Sequence, residues 1–127
     1  MPEEALISII DDDESLRAAL VGLVRSLGHR ASGFASAEDF LASGAAAANA
    51  AIVTDIQMPG LSGIELKRKL AADGCTIPVI MITARTEPGL KERAFESGAF
   101  CVLGKPFEAA ALIDCLERAL ARETRLG

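Results

Sequence analysis

The sequence predicts an α/β fold in which one parallel sheet is doubly wound, with helices on both faces. Four short apolar runs each lead into a polar or charged residue, which is typical of parallel strands that are buried on both faces. Between these runs the hydrophobic residues follow a helical period instead. With one weaker strand added, strand and helix alternate five times, an order that favours right-handed crossovers within a single sheet.

The first apolar run, Ile7 to Ile10, leads into three consecutive acids, Asp11 to Asp13. Asp13 or Asp12 is expected to cap the following helix, because a carboxylate accepts hydrogen bonds from the unpaired backbone N–H groups of a first turn. The helix is expected to be amphipathic, with one apolar stripe formed by Leu16, Leu20, Leu23, Val24 and Leu27.

The second strand and helix have weaker patterns. Gly28 ends the first helix, and residues 29–34 predict a short strand. His29, in a Gly-His-Arg turn, is expected to be a solvent-exposed loop residue. Ser36 to Asp39 has the form of an N-terminal helix cap. Ala42 to Ala51 is nearly all small residues and predicts a surface connection without a functional role.

The third strand, Ala50 to Thr54, leads into Asp55. Ser62 and Glu65 have the spacing of a capping box, in which each side chain accepts a hydrogen bond from the other residue's backbone N–H. The helix that begins there is expected to end at Asp73-Gly74.

The last two strands are predicted at Val79 to Ile82 and at Phe100 to Leu103. Thr86-Glu87-Pro88 begins the helix between them, which is expected from about Glu87 to Ser97. A final helix follows, and its apolar residues are Leu112, Ile113, Leu116 and Leu120.

Length and composition restrict the class of protein. With 127 residues, half of them hydrophobic, the chain is long enough for one domain with a single core. The net charge of -5 argues against direct nucleic-acid binding, and Lys67-Arg68-Lys69 is interpreted as a solvated helix face. No apolar run could span a membrane, and Met1 to Glu4 lacks a signal-peptide pattern. A reducing compartment, the cytoplasm, is favoured by three cysteines without metal-site spacing, Cys75, Cys101 and Cys115.

The acids are expected to form a metal site, because the carboxyl ends of parallel strands meet at one edge of the sheet. Capping explains one of the acids at 11–13 but not all three. Asp11 and Asp12 would repel each other unless a cation lay between them, and hard oxygen ligands select Mg²⁺ or Mn²⁺. Asp55 either ligates the same ion or attacks phosphorus to form an acyl phosphate.

Thr83 and Lys105 favour the second role for Asp55. Each follows an apolar run, so each is expected at the same edge of the sheet. A Lys can neutralise an incoming phosphoryl group, and a Thr hydroxyl can donate a hydrogen bond to it. A simple metal site needs neither of these side chains.

The chain resembles the receiver domain of two-component response regulators from Ile7 to about Ala121. The motifs that carry the resemblance are the acidic pair Asp11-Asp12, Asp55, Met58-Pro59 with Gly63 beyond it, Thr83-Ala84 and Lys105-Pro106-Phe107. Asp11, Asp55, Thr83 and Lys105 are separated by 44, 28 and 22 residues. The sequence motif from Thr54 to Leu66 resembles that of the FixJ-like group. The resemblance, to the FixJ-like or CheY-like group of receivers, implies a flavodoxin-like (βα)5 sheet with strand order 2-1-3-4-5.

The resemblance also implies a role for each site residue. Asp55 would accept a phosphoryl group from a phosphohistidine of a sensor histidine kinase. Asp12, Asp55 and the backbone carbonyl of Gln57 would ligate Mg²⁺, with Asp11 acting directly or through water. Lys105 would pair with the phosphoryl oxygens, and Thr83 would move toward them. A cis bond is implied between Lys105 and Pro106.

Val102 departs from the pattern of the family. Receivers usually carry Tyr or Phe three residues before the site lysine, and that aromatic side chain changes rotamer together with the Thr. Val has little rotamer freedom and a smaller surface, so the usual aromatic part of the switch is not expected here. Phe100 is a candidate to substitute for it in part.

The resemblance implies a signalling domain that catalyses only its own phosphotransfer and autodephosphorylation. One alternative is a small phosphatase of the haloacid-dehalogenase kind, although that group places an acid two residues after its nucleophile, where this chain has Gln57. The other alternative is a receiver-like interaction module that does not depend on phosphorylation.

Residues 1–127 are expected to be a single receiver domain with a core at about 5–121 and no effector domain. Phosphorylation is expected to change the face formed by the fourth helix, the fifth strand and the fifth helix. The partners implied are a sensor histidine kinase, an effector DNA-binding domain or protein target, and a second copy in a phosphorylation-linked homodimer.

Overall fold

One parallel sheet of five strands forms the centre of the protein, in a computed structural model that describes residues 5–44, 46–84 and 87–126. Side chains are described for all of these residues except 47 and 122–126. The strands lie in the order β2-β1-β3-β4-β5, and all four neighbouring pairs are parallel, which confirms the predicted flavodoxin-like sheet. Their bounds are β1 Leu6–Ile10, β2 Arg30–Phe34, β3 Ala51–Asp55, β4 Val79–Thr83 and β5 Cys101–Gly104.

A helix follows each strand, so the predicted order of strand and helix repeated five times is confirmed. No helix in the described ranges has both the length and the apolar character that are needed to cross a membrane. The helices are α1 Glu14–Ser26, α2 Ala37–Ala42, α3 Gly63–Ala72, α4 Leu90–Glu96 and α5 Ala109–Leu126, with a short 3-10 turn at Ala46–Ala48.

Three helices begin at the caps that the sequence predicts. The side chain of Asp13 accepts a hydrogen bond from the backbone N–H of Leu16 at 3.1 Å. Ser36 caps α2 by accepting from the N–H of Asp39 at 3.0 Å. Ser62 and Glu65 form the complete capping box of α3. Local sequence therefore fixes where these helices start.

The core lies in two layers, one on each face of the sheet. Val79 and Met81 of β4 pack on one face, and Ile80 and Ile82 pack on the other, as the alternation of side chains along a strand requires. The first face is covered by α2, α3 and α4 through Phe40, Leu66, Leu70, Leu90 and Ala94. The second face is covered by α1 and α5 through Leu20, Val24, Leu112 and Leu116.

Most predicted bounds differ from the observed ones by one or two residues, and the start of the fourth helix differs by three. The fourth helix is expected from about Glu87 but begins at Leu90, because Gly89 has a φ of 83° and cannot belong to a right-handed helix. Thr86, in the predicted start of that helix, lies outside the described residues. β5 begins one residue later than expected, at Cys101, and includes Gly104.

The prediction of a solvated basic helix face at residues 67–69 was wrong for Lys67. Its side chain is buried, whereas Arg68 and Lys69 are exposed as expected. A Cβ atom added to Gly98 would lie 2.9 Å from Cε of Lys67, so the aliphatic part of the lysine fills the space that the glycine leaves. Lysine stems commonly cover apolar surface in this way.

The segment from Ala42 to Ala51 is not entirely a surface connection. Asn49 is buried, and its Oδ1 accepts a hydrogen bond from Oγ of Ser8 at 2.7 Å. Ala51 is buried as the first residue of β3. His29 is also less exposed than predicted, because its Nδ1 accepts from the backbone N–H of Ala5 at 3.3 Å.

Candidate functional site

The carboxyl ends of four strands bring the predicted site residues to one edge of the sheet. Asp11 follows β1, Asp55 ends β3, Thr83 ends β4 and Lys105 follows β5. Because these strands are parallel and lie side by side, their ends face the same way. This is the edge where open α/β sheets bind ligands.

Three carboxylates form the acidic part of the site. Asp11, Asp12 and Asp55 each offer one oxygen, and these oxygens all lie within 4.8 Å of one another. Asp11 and Asp55 are buried, whereas Asp12 is exposed. The Oδ1 of Asp11 accepts from the backbone N–H of Asp13 at 2.9 Å, which fixes the orientation of the Asp11 carboxylate.

Lys105 supplies the positive charge that faces these acids. Its Nζ lies 3.4 Å from Oδ2 of Asp11 and 3.5 Å from Oδ2 of Asp55. The backbone N–H of Lys105 donates to the carbonyl of Thr83 at 2.7 Å. The peptide bond from Lys105 to Pro106 is cis, as predicted.

The environment of Asp55 favours a cation beside it. Burial raises the pKa of the Asp55 carboxyl above its ordinary value of 3.8. The Lys105 ammonium opposes this effect, while the carboxylate of Asp11 raises the pKa further. An additional cation would stabilise the ionised form of Asp55, which is the form that can ligate a metal or attack phosphorus.

The donor set fits Mg²⁺. Three carboxylates supply hard oxygen ligands, which Mg²⁺ and Mn²⁺ prefer, and the cluster contains no nitrogen or sulfur donor of the kind that selects softer metals. Lys105 offsets only part of the negative charge of the three acids. The cluster is therefore a candidate site for a divalent cation.

Thr83 and Gln57 contact each other beside the acids. Oγ1 of Thr83 donates to Oε1 of Gln57 at 3.4 Å, and the Thr83 side chain is buried. The predicted role of the Gln57 backbone carbonyl as a metal ligand stays a prediction, as do the individual roles of Asp11, Asp12, Asp55, Thr83 and Lys105.

The turn after Asp55 is held against the sheet by close backbone packing. The N–H of Gly63 donates to the carbonyl of Ile56 at 2.9 Å. A Cβ atom at Gly63 would lie 2.6 Å from the carbonyl oxygen of Asp55, so only glycine allows α3 to begin this close to β3. The site therefore depends on Gly63 as well as on its charged residues.

Comparison with known proteins identifies the family. The sequence model of the family described as "Response regulator receiver domain" matches residues 7–117. The chain belongs to this family. It is thus a receiver domain of two-component signalling, and the match does not favour either alternative, the phosphatase or the phosphorylation-independent module.

Curated relatives of this receiver domain are transcriptional regulators and response regulators. It is 38% identical over 127 residues to the transcriptional regulatory protein FixJ of Azorhizobium caulinodans, covering all of this chain and 60% of that protein. It is 36% identical over 118 residues to the response regulator protein TmoT of Ectopseudomonas mendocina, covering 93% of this chain and 54% of that one. The chain therefore spans little more than half the length of these relatives.

Solved structures show the same fold. The receiver domain superimposes on the structure titled FixJ-N with a TM-score of 0.85 at 35% identity, covering 95% of this chain and 96% of that chain. The match to the response regulator StyR has a TM-score of 0.89 at 36% identity, covering 97% of this chain and 62% of that chain. These similarities support the FixJ-like group that the sequence predicts.

Val102 and Phe100 lie on different sides of this receiver's sheet. Val102 is half-buried and packs with the core layer beneath α2, α3 and α4. Phe100 packs with the opposite layer, beneath α1 and α5. Phe100 therefore does not occupy the place of the usual aromatic residue, and the expectation that it substitutes for that residue was wrong.

Sequence reasoning missed Arg17, which supports the acidic loop of the receiver from α1. Its Nη1 donates to the backbone carbonyl of Asp11 at 2.8 Å. Its stem packs near Gly33 of β2, where an added Cβ would lie 3.2 Å from Cγ of Arg17. A side chain that bonds to backbone forms no recognisable motif, although Arg17 does lie one helical turn after the cap at Asp13.

Proposed function

We propose that this receiver domain accepts a phosphoryl group on Asp55 from a phosphohistidine of a sensor histidine kinase. The observation that supports this most directly is the convergence of three carboxylates and one ammonium group at the end of β3. Asp11 and Asp12 thus place negative charge beside Asp55, where a cation can bind. Lys105 places positive charge beside Asp55, where phosphoryl oxygens can bind.

The residues divide the work of the transfer. A carboxylate oxygen of Asp55 attacks phosphorus, the P–N bond to the histidine breaks, and the released imidazole nitrogen takes up a proton from solvent. Lys105 Nζ, which already lies 3.5 Å from Asp55, pairs with the phosphoryl oxygens. Autodephosphorylation is the attack of water on the same phosphorus, with Asp55 as the leaving group.

Asp11, Asp12, Asp55 and the backbone carbonyl of Gln57 are the residues that would hold Mg²⁺, with Mn²⁺ as the other ion of suitable chemistry. When bound, the ion offsets the repulsion between the attacking carboxylate and the phosphoryl oxygens. Because Asp12 is exposed and Asp11 is buried, the ion would enter the site from the solvent on the side of Asp12.

Thr83 would transmit the change to the face formed by α4, β5 and α5. Its hydroxyl donates to Gln57 at 3.4 Å, a long contact that a phosphoryl oxygen on Asp55 can replace with a shorter, charge-assisted one. The backbone carbonyl of Thr83 accepts a hydrogen bond from the backbone N–H of Lys105. On α4, the helix that follows β4, Phe95 is 52% exposed. Within this face, α4 therefore has an apolar residue that is available for contact with an output partner.

The output of this face is proposed to be control of an effector DNA-binding domain or a protein target, through a homodimer that forms on phosphorylation. One of the relatives named above, FixJ of Azorhizobium caulinodans, is a transcriptional regulatory protein that is longer than this chain. Because the net charge of this chain is negative, we expect any contact with nucleic acid to be made by that effector. The proposed location is the cytoplasm, where a sensor kinase presents its phosphohistidine.

The proposal is tested with acetyl phosphate and Mg²⁺, read by intact mass. We expect a gain of one phosphoryl group that requires Mg²⁺ and is lost in Asp55→Asn. A phosphoryl mass gain that persists in Asp55→Asn would contradict the assignment of Asp55. Sustained release of many phosphate equivalents from a generic phosphate ester would instead indicate a phosphatase. Sedimentation velocity of the phosphorylated and unphosphorylated protein then tests whether phosphorylation drives dimerisation.

A further inference from the structure

Glu38 joins α2 to the turn that follows Asp55. Its Oε2 accepts a hydrogen bond from the backbone N–H of Leu61 at 2.9 Å, across 23 positions of sequence. The sequence explains Glu38 only as part of a helix cap, but Ser36 alone provides that cap. The carboxylate of Glu38 is therefore available for a different purpose.

Gly60 shows how closely the Glu38 carboxylate lies against this turn. A Cβ atom added to Gly60 would overlap Oε2 of Glu38. Gly60 also has a φ of 81°, a left-handed conformation that glycine adopts at little cost. The turn thus combines a conformation that favours glycine with a neighbour that leaves no space for a side chain.

The turn connects the end of β3, where Asp55 and Gln57 lie, to the start of α3. On its β3 side, Gln57 accepts from Thr83, and the N–H of Ile56 donates to the carbonyl of Ile82. On its α3 side, Ser62 is held within the capping box. Between these points, Glu38 supplies the hydrogen bond that holds Leu61 from another element of the fold.

We propose that Glu38 is a positioning residue for the cation site. By holding Leu61, it would restrict the backbone from Gln57 to Leu61 and so orient the Gln57 carbonyl, which would be one of the ligands of the ion. This inference rests on the proposed function, because it assumes that the ion binds at Asp11, Asp12 and Asp55. A ligand carbonyl in a turn that is free to move would bind the ion less tightly, since binding would have to order the turn.

Three variants separate the hydrogen bond from the charge. Glu38→Ala removes both, whereas Glu38→Gln removes the charge but keeps an oxygen that can accept from Leu61. Asp39→Asn is the matched control, because Asp39 is an exposed acid in the same helical turn and its carboxylate makes no hydrogen bond among the described residues. Each variant is titrated with MgCl₂ by calorimetry after treatment with chelator.

We expect Glu38→Ala to weaken Mg²⁺ binding on the order of tenfold, the lower end of the range for groups that orient a ligand. Glu38→Gln is expected to recover most of the affinity, and Asp39→Asn to bind like the wild type. Equal affinity in Glu38→Ala and wild type would overturn the proposal. Equal losses in Glu38→Gln and Glu38→Ala would assign the effect to charge and also overturn it.

Amide hydrogen exchange at Leu61, measured by NMR without Mg²⁺, provides a readout independent of the ion. Exchange should be faster in Glu38→Ala than in wild type and unchanged in Asp39→Asn. Unchanged exchange in Glu38→Ala would show that the contact does not protect Leu61 and would contradict the proposal. Failure of the wild type to bind Mg²⁺ would contradict the proposed function instead, so the two failures are distinguishable.

Gly60→Ala tests the same contact from the other side. The added Cβ should displace the Glu38 carboxylate, so Mg²⁺ affinity should fall as it does in Glu38→Ala. Alanine is also strained at the φ of 81°, so the loss of affinity in Gly60→Ala should be at least as large as that in Glu38→Ala. Wild-type Mg²⁺ affinity in Gly60→Ala would overturn the proposal.

Discussion

The ammonium nitrogen of Lys105 lies 3.5 Å from Oδ2 of Asp55, although the strands that carry them, β5 and β3, are separated by β4. Lys105 follows the end of its strand, so its side chain extends over the carboxyl end of β4 to reach Asp55. The pair leaves Asp55 with a raised pKa even so, because burial outweighs the attraction of the lysine. The site thus retains an unfavourable charge in the absence of a bound cation.

The first prediction is that Asp55→Asn stabilises the protein near neutral pH when no Mg²⁺ is present. A raised pKa means that the folded state binds the Asp55 proton more tightly than the unfolded state does. Stability from this group is therefore present below about pH 3.8, the ordinary value, and is lost as pH rises through the higher folded pKa. Urea unfolding of wild type and variant, in chelator and across this range, measures the difference.

The stability gap between Asp55→Asn and wild type should shrink as pH falls toward 3.8. Asp39→Asn, which removes an exposed carboxylate, serves as the control and should show no such gap. A variant that is less stable than wild type near neutral pH would contradict the prediction. A gap of constant size at every pH would show that the ionisation of Asp55 is not its cause.

The second prediction is that Mg²⁺ raises the melting temperature of the wild type through the three-carboxylate cluster. A ligand that binds only the folded state stabilises it by about 2.7 kcal/mol at a concentration one hundred times its Kd. Asp12→Asn should abolish most of this effect, and because Asp12 is exposed the variant should still fold. Glu14→Gln, an exposed acid outside the cluster, should retain it. Equal melting temperatures with Mg²⁺ and with chelator would contradict the cation site.

The fold could be predicted from sequence because its signals are local and repeated. Each buried strand is a short apolar run, and Asp13, Ser36 and Ser62 mark helix starts with side chains that bond within three residues. The start of α4 could not be predicted as well. It depends on the left-handed backbone of Gly89, a conformation that a glycine permits but does not require.

The convergence of Asp11, Asp55, Thr83 and Lys105 was predictable for a related reason: each stands at or just after the end of a strand, so topology alone brings them to one edge of the sheet. The contacts of Arg17 and Glu38 could not be predicted in this way. Both side chains bond to backbone groups of other elements, and the partners carry no chemical signature in the sequence. The burial of Lys67 is similar, because it depends on how α3 meets the end of α4.

The third prediction compares two glycine-to-alanine substitutions. A Cβ at Gly63 would lie 2.6 Å from the Asp55 carbonyl oxygen and 3.2 Å from Cα of Ile56, and backbone cannot move aside easily. Gly63→Ala should therefore destabilise the protein by about 1–3 kcal/mol. Gly22, within α1, has nothing within 4 Å of an added Cβ, so Gly22→Ala should stabilise it by up to about 1 kcal/mol. Urea unfolding measures both, and a neutral Gly63→Ala would contradict the close approach.

The fourth prediction concerns the reactivity of the three thiols. Burial, together with a hydrogen bond to Cys115, raises the pKa of Cys101 to about 12, so little reactive thiolate is present near neutral pH. Cys115 is buried beside it, whereas Cys75 is half-buried. Iodoacetamide should therefore label Cys75 first in the folded protein, and Cys75→Ser should remove most of that labelling. Labelling of Cys101 and Cys115 should follow only on unfolding, as read by peptide mass; labelling of Cys101 as fast as Cys75 would refute the prediction.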